Sequence, residues 1–126
     1  MDTKAQKAQR AKDLGHQAED AVLSAFLTRG YRLVARNFLV HQWGELDLIL
    51  VKDMCLYIVE VKSRLESDRY GGTSEAITKQ KLRRMTRVAQ VFLLDRTWAN
   101  YDVRFAAGCV THGTDGLIRK INIHAI

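Results

Sequence analysis

Apolar residues recur along the chain with two different periods. Over residues 13–28, Val22, Leu23, Phe26 and Leu27 recur at helical spacing, and Arg29-Gly30 supplies a glycine stop, which predicts a first helix. The preceding residues 1–12 are polar and rich in Lys, Gln and Ala. They fit either a flexible arm or the solvated start of the same helix. At about 100° per residue, Glu19 falls near the middle of the apolar face, where an acid is costly unless something pairs with it. Residues 31–38 carry β-branched and aromatic character and read as a strand. Residues 45–51 and 56–62 read as two more, turning at Lys52-Asp53-Met54-Cys55. A second helix is expected over residues 78–94, with Leu82, Met85, Ala89 and Phe92 as its stripe. Residues 103–110 and 117–123 read as two closing strands around His112-Gly113-Thr114-Asp115-Gly116. The order α-β-β-β-α-β-β predicts an α/β fold with a mixed sheet flanked by helices. With no repeat and no low-complexity linker, residues 1–126 are expected to form a single domain.

The central hairpin carries the candidate chemistry. A turn centred between Asp53 and Met54 places residues whose numbers sum to 107 opposite each other. Asp47 then faces Glu60, and Glu45 faces Lys62, with Cβ atoms about 4.5–5.5 Å apart. Carboxylates held that close repel, and a proton, a lysine or a divalent cation must offset the repulsion. Hard oxygen ligands favour Mg²⁺ or Mn²⁺. Lys62 shares a face with Glu60, where it can stabilise a pentavalent phosphate or orient an attacking water. Glu19 joins the group if the first helix packs here. The plain alternative is a set of solvated charges on an exposed sheet. The apolar flanks Leu46, Leu48, Ile49, Leu50, Ile58, Val59 and Val61 argue instead for covered, central strands.

Charge adds a partner class. Lys and Arg number 20 against 14 acids, a formal net charge of +6, which favours a polyanion such as nucleic acid. Lys79, Lys81, Arg83, Arg84 and Arg87 crowd the second helix. That face either tracks a phosphate backbone, through Lys81, Arg84 and Arg87, or is simply solvated. Residues 63–72 form a polar stretch after Lys62 that brings Arg64 to the mouth of the site. Trp43 and Tyr70 can stack a base, although packing in the core or at the rim is the commoner use of such residues. Cys55 and Cys109 lie in apolar stretches outside any C-x-x-C pair and read as free thiols of a reducing cytosol. The histidines His16, His41, His112 and His124 share no zinc-ligand spacing. An N-terminus with no apolar h-region, and no run of about 18 apolar residues, leads to the expectation of a cytoplasmic protein without a membrane partner.

The spacing Asp47, Glu60, Lys62, as Asp-x(12)-Glu-x-Lys, resembles the core signature of the PD-(D/E)xK nucleases. A longer set resembles the UPF0102 (YraN) family: Gly15, Ala18-Glu19, Ala21, Gly30, Arg36-Asn37, Gly44-Glu45-Leu46-Asp47-Leu48-Ile49 and Val59-Glu60-Val61-Lys62-Ser63-Arg64. The similarity covers residues 13–105. That family is placed among restriction-endonuclease-like folds, near archaeal Holliday junction resolvases. The resemblance implies that Glu19, Asp47, Glu60 and Lys62 line a catalytic site, that Asp47, Glu60 and Glu19 hold Mg²⁺ or Mn²⁺, and that Lys81 lies at the matching helix position. The chain departs from the family's Arg-Phe-Asp near the last strands, reading Arg104-Phe105-Ala106. The implied function is a metal-dependent nuclease that hydrolyses phosphodiester bonds in DNA, with branched or damaged DNA as candidate substrates. Many related nucleases work as dimers, so a homodimer is expected too. The alternative is a non-catalytic nucleic-acid-binding module, because a nuclease-like fold does not establish cleavage. A protein-interaction scaffold is the third reading.

Overall fold

The computed structural model describes residues 1–67 and 76–126. Helix α1 (Lys4–Thr28) precedes three strands, β1 (Arg32–Val40), β2 (Gly44–Lys52) and β3 (Cys55–Leu65). Helix α2 (Lys79–Phe92) and a short 3-10 turn (Arg96–Trp98) lead to β4 (Asp102–His112) and β5 (Ile118–Ala125). The five strands form one sheet in the order β1-β2-β3-β4-β5. Only β3 and β4 run parallel, and α2 lies in the crossover between them, as a parallel connection requires. The α/β fold and the element order are those expected from the sequence, and the mixed, helix-flanked sheet is consistent with a nuclease-like architecture.

One boundary differs substantially. α1 begins at Lys4 rather than near residue 13, so of the two readings of the N-terminal segment the solvated start of the same helix holds and the arm does not. Thr3 caps it: its side chain accepts from the Gln6 N–H, and the Gln6 side chain accepts from the Thr3 N–H. Such a capping box, followed by strong helix formers, starts a helix without any apolar face.

The helices cover opposite faces of the sheet. α1 buries Ala18, Val22 and Phe26 against Leu48, Leu50, Val59, Ala106 and Val110. The buried stripe is rotated from the expected one, since Ala18 is enclosed while Leu27 stays 47% exposed. Gly108 permits the close approach of α1, because a Cβ there would lie 2.8 Å from Val22 Cγ1. On the other face, Met85, Val88 and Ala89 of α2 pack on Leu46, Ile49, Val51, Leu56 and Ile58. Phe92 extends this layer edge-to-face with Phe38 and stacked with Trp98. Cys55 and Cys109 are buried and carry no disulfide, as expected. Among the described residues, no helix is long and apolar enough to cross a membrane.

Candidate active site

The site lies where the β2–β3 hairpin opens. The two-residue turn, Asp53 and Met54, has positive φ at both positions (52° and 62°), the type I′ geometry that matches strand twist. It fixes the expected register: Lys52 pairs with Cys55, and the ladder runs to Leu48↔Val59. There it stops. β2 continues along β1 to Val40↔Gly44, and β3 continues along β4 to Leu65↔His112. The expected ladder pairs Asp47–Glu60 and Glu45–Lys62 therefore do not form. The strict alternation of β2 also breaks here, since Leu46 and Ile49 pack in the same cluster. In place of the missing strand neighbour, Asp47 Oδ2 accepts the Val61 N–H at 2.8 Å. The two acids still converge, because that bond anchors Asp47 beside Glu60, but they do so across a fork rather than within a sheet.

Burial makes this convergence costly. The Glu60 side chain is only 13% exposed, and its Oε1 lies 3.3 Å from Lys81 Nζ. Its Oε2 is buried and has no hydrogen-bond partner among the described residues. Burial raises the Glu60 pKa, while Lys81 and Lys62 pull it back. Asp47 is pushed up to about 7, first by burial and then by the charge of Glu60, with Glu19 and Glu45 adding to it and the Val61 N–H opposing. Both shifts mark groups whose charged forms lack adequate compensation, as is common at functional sites.

The remaining predicted residues sit around this pair. Glu19 lies close enough for its charge to raise the Asp47 pKa, but Arg36 Nε holds its Oε1 at 3.2 Å. Arg36 also reaches Asp20 at 2.8 Å. Asn37 adopts a left-handed conformation (φ 56°) within β1, between the ladder pairs Arg36↔Leu48 and Phe38↔Leu46. It therefore stands opposite Asp47. With its amide nitrogen turned toward the acids, it donates to Glu19 Oε1 at 3.2 Å and to Glu45 Oε1 at 3.0 Å. Arg36, Asn37 and Glu45 thus belong to the site, although sequence reasoning gives the first two no role. The sequence signal for them is slight: an Arg-Asn pair inside a strand, where Asn is among the few residues that tolerate positive φ.

Lys62 donates to the Ala76 carbonyl at 3.1 Å, tying β3 to the segment that leads into α2. Thr78 caps α2 by accepting the Lys81 N–H at 3.0 Å. The first turn of α2, carrying Lys81 and the positive end of the helix dipole, is thereby set beside Glu60. Arg64 instead turns toward β4, where its Nε donates to Thr111 Oγ1 at 3.3 Å. Arg84 and Arg87 are exposed on α2, and the Arg87 guanidinium lies 5.3 Å from the centre of the Trp43 ring. Residues 68–72 of the expected substrate-contacting stretch, Tyr70 among them, lie outside the described residues. Ala106, where the family pattern places an acid, is a buried core residue under α1.

Among the described residues, no three His, Cys, Asp or Glu side chains are gathered as a ready metal site. Two carboxylates are nonetheless what Mg²⁺ commonly takes from a protein, with waters and substrate phosphate filling its other positions. The partnerless Glu60 Oε2 and the poorly compensated Asp47 fit such a cation. Glu19 neighbours this pair, with its Oε1 engaged by Arg36 and Asn37.

A family model described as "Uncharacterised protein family UPF0102" matches residues 18–110. The chain is 41% identical over 93 residues to a UPF0102 protein of Prosthecochloris aestuarii, covering 74% of this chain and 72% of the relative. It is 44% identical over 100 residues to the UPF0102 protein TTHA0372 of Thermus thermophilus, covering 79% and 84%. A UPF0102 protein of Alkaliphilus metalliredigens is 36% identical over 112 residues, covering 89% and 96%.

Proposed function

We propose, for a chain that belongs to the UPF0102 family, a metal-dependent nuclease of the PD-(D/E)xK type that hydrolyses phosphodiester bonds in DNA. The observation that best supports this reading is the buried, partnerless Oε2 of Glu60 beside Asp47, within reach of Lys81 and Lys62. A purely structural acid in this place would be expected to have all its acceptors satisfied. A carboxylate left short of partners, next to another whose pKa is pushed up to about 7, is an arrangement completed by a cation.

In this reading Asp47 and Glu60 hold Mg²⁺ or Mn²⁺, which supplies Lewis acidity at the phosphoryl oxygen and activates water at neutral pH. The chain's own groups do the rest. The Val61 N–H fixes the Asp47 carboxylate in one orientation, and Lys81 does the same for Glu60. Lys62 stabilises charge that develops on the phosphoryl oxygens as water adds to phosphorus and a P–O ester bond breaks. Asn37 and Arg36 hold Glu45 and Glu19 at fixed positions around the pair, so the local field is preorganised. Arg84 and Arg87 attract the phosphate backbone from the exposed side of α2.

The test is cleavage of linear, flapped and four-way DNA with Mg²⁺ or Mn²⁺, comparing the wild type with Glu60→Gln. Metal-dependent cutting that falls by about 100-fold or more in the variant is expected, given what such electrostatic groups contribute. Cutting that survives in Glu60→Gln contradicts the assignment. Absence of cutting together with salt-sensitive DNA binding favours the non-catalytic module.

A further inference from the structure

The turn between β1 and β2 presents an aromatic ring at the edge of the acidic site. Trp43 is 47% exposed, although Met85 and Val88 on α2 nearby are buried. The flanking residues take positive φ, Gln42 at 67° and Gly44 at 137°. Positive φ of this kind is ordinary in a tight hairpin connection, and it fixes Trp43 at the tip of the turn. Trp43, Met85, Val88 and Arg84 line a cavity of about 280 Å³. Its lining also includes Glu45 and Lys81. These same residues belong to the acidic site: Lys81 holds Glu60, and Glu45 faces Asn37. The cavity and the acids are therefore continuous.

We propose that this cavity is a nucleobase subsite that takes one unpaired base of a DNA strand whose phosphate lies at Asp47 and Glu60. The proposal rests on the nuclease reading and names its substrate class: DNA with a single-stranded segment at the cleaved bond. An aromatic wall and a cationic rim are the features with which proteins hold single-stranded bases without regard to sequence. The volume, just below the usual range of ligand pockets, suits one ring system. Arg87, over the Trp43 ring, and Arg84, on the rim, are placed to meet the backbone phosphates of the strand that carries the base.

The test is binding without metal, so that nothing is cut. Full-length protein is titrated with a short single-stranded oligonucleotide and with a duplex containing the same sequence, and tryptophan fluorescence and affinity are both read. Trp98, stacked on Phe92, serves as the internal reference. The single strand is expected to quench Trp43, and Trp43→Ala to abolish the quench and weaken single-strand binding by about tenfold or more. Trp43→Phe restores affinity, which separates loss of stacking from loss of the fold. Duplex affinity stays within about twofold in both variants, because phosphate contacts dominate there. Equal weakening of both DNAs by Trp43→Ala, or no weakening of either, overturns the subsite and leaves the nuclease reading intact. Failure of the wild type to bind the single strand overturns the subsite, while the nuclease reading stands or falls on metal-dependent cleavage.

Discussion

At its turn, the β2–β3 hairpin is laddered from Lys52↔Cys55 to Leu48↔Val59 and enclosed by apolar side chains on both faces. At its open end the same two strands part, and Asp47 and Glu60 occupy the gap. Backbone groups satisfy one another at the first end. At the second, a carboxylate takes the place of a strand, and one Glu60 oxygen is left with no partner among the described residues. The contrast separates two tasks that a continuous strand pair can perform. The closed end contributes stability through burial, while the fork gives up part of that stability to hold polar groups in a shielded place.

The largest expected effect lies at the closed end. Leu50 is fully buried between the sheet and α1, so Leu50→Ala should cost about 2–5 kcal/mol in chemical denaturation. Any stabilisation by metal should persist in that variant, because the fork is untouched. A cost under about 1 kcal/mol, the range of surface substitutions rather than core cavities, would erase the distinction between the ends.

Asp47→Asn tests the fork with the opposite sign. The Asp47 carboxyl binds its proton more tightly in the folded chain, near 7, than at the usual 3.8. Its contribution to stability is therefore complete below about pH 4 and lost as the pH rises to about 7. That contribution is at most a few kcal/mol, and residual contact with water lowers it. Glu60, raised in the same direction, adds to the trend. Metal-free wild type should thus lose stability between pH 4 and pH 8, and Asp47→Asn should lose less. At pH 8 the variant should be the more stable by roughly 1–3 kcal/mol. Parallel pH profiles by thermal melting would show that Asp47 is not under this stress.

The smallest effect is expected at the rim of the fork. Arg36 joins Glu19 to Asp20, whose side chain is 68% exposed, so Arg36→Gln should cost about 1 kcal/mol or less and the loss should shrink in high salt. A larger, salt-independent loss would place Arg36 among the structural groups of the closed end.

The closed end is legible in the sequence, because a two-residue turn fixes register and the apolar runs on both strands require cover. The sum of 107 holds at every pair from the turn to Leu48↔Val59. The open end is legible in its residues and not in its geometry. Alternation sets Asp47 against Glu60 as a ladder pair, but the two strands part after Leu48↔Val59 while β1 and β4 stay paired on their outer edges, and no local pattern reports that divergence. The start of α1 escapes a periodic reading for a related reason: capping and propensity, rather than an apolar stripe, extend that helix to Lys4. Periodicity alone puts Leu27 inside, because adjacent leucine and phenylalanine positions fit the same stripe nearly equally well. The approach of Val22 to Gly108 selects the Ala18 side instead. Apart from the family resemblance, Lys81 is visible in the sequence as one of several basic residues on α2, and its pairing with Glu60 is a long-range fact of the fold.

The central claim is that the fork is a cation site built on Asp47. It is tested most directly by melting the wild type and Asp47→Asn at pH 8, with and without Mn²⁺. Metal that binds only the folded site should stabilise the wild type by about 2.7 kcal/mol at one hundred times its Kd, and should leave the Tm of Asp47→Asn unmoved. The same Mn²⁺ shift in both proteins, or none in the wild type, would contradict the account.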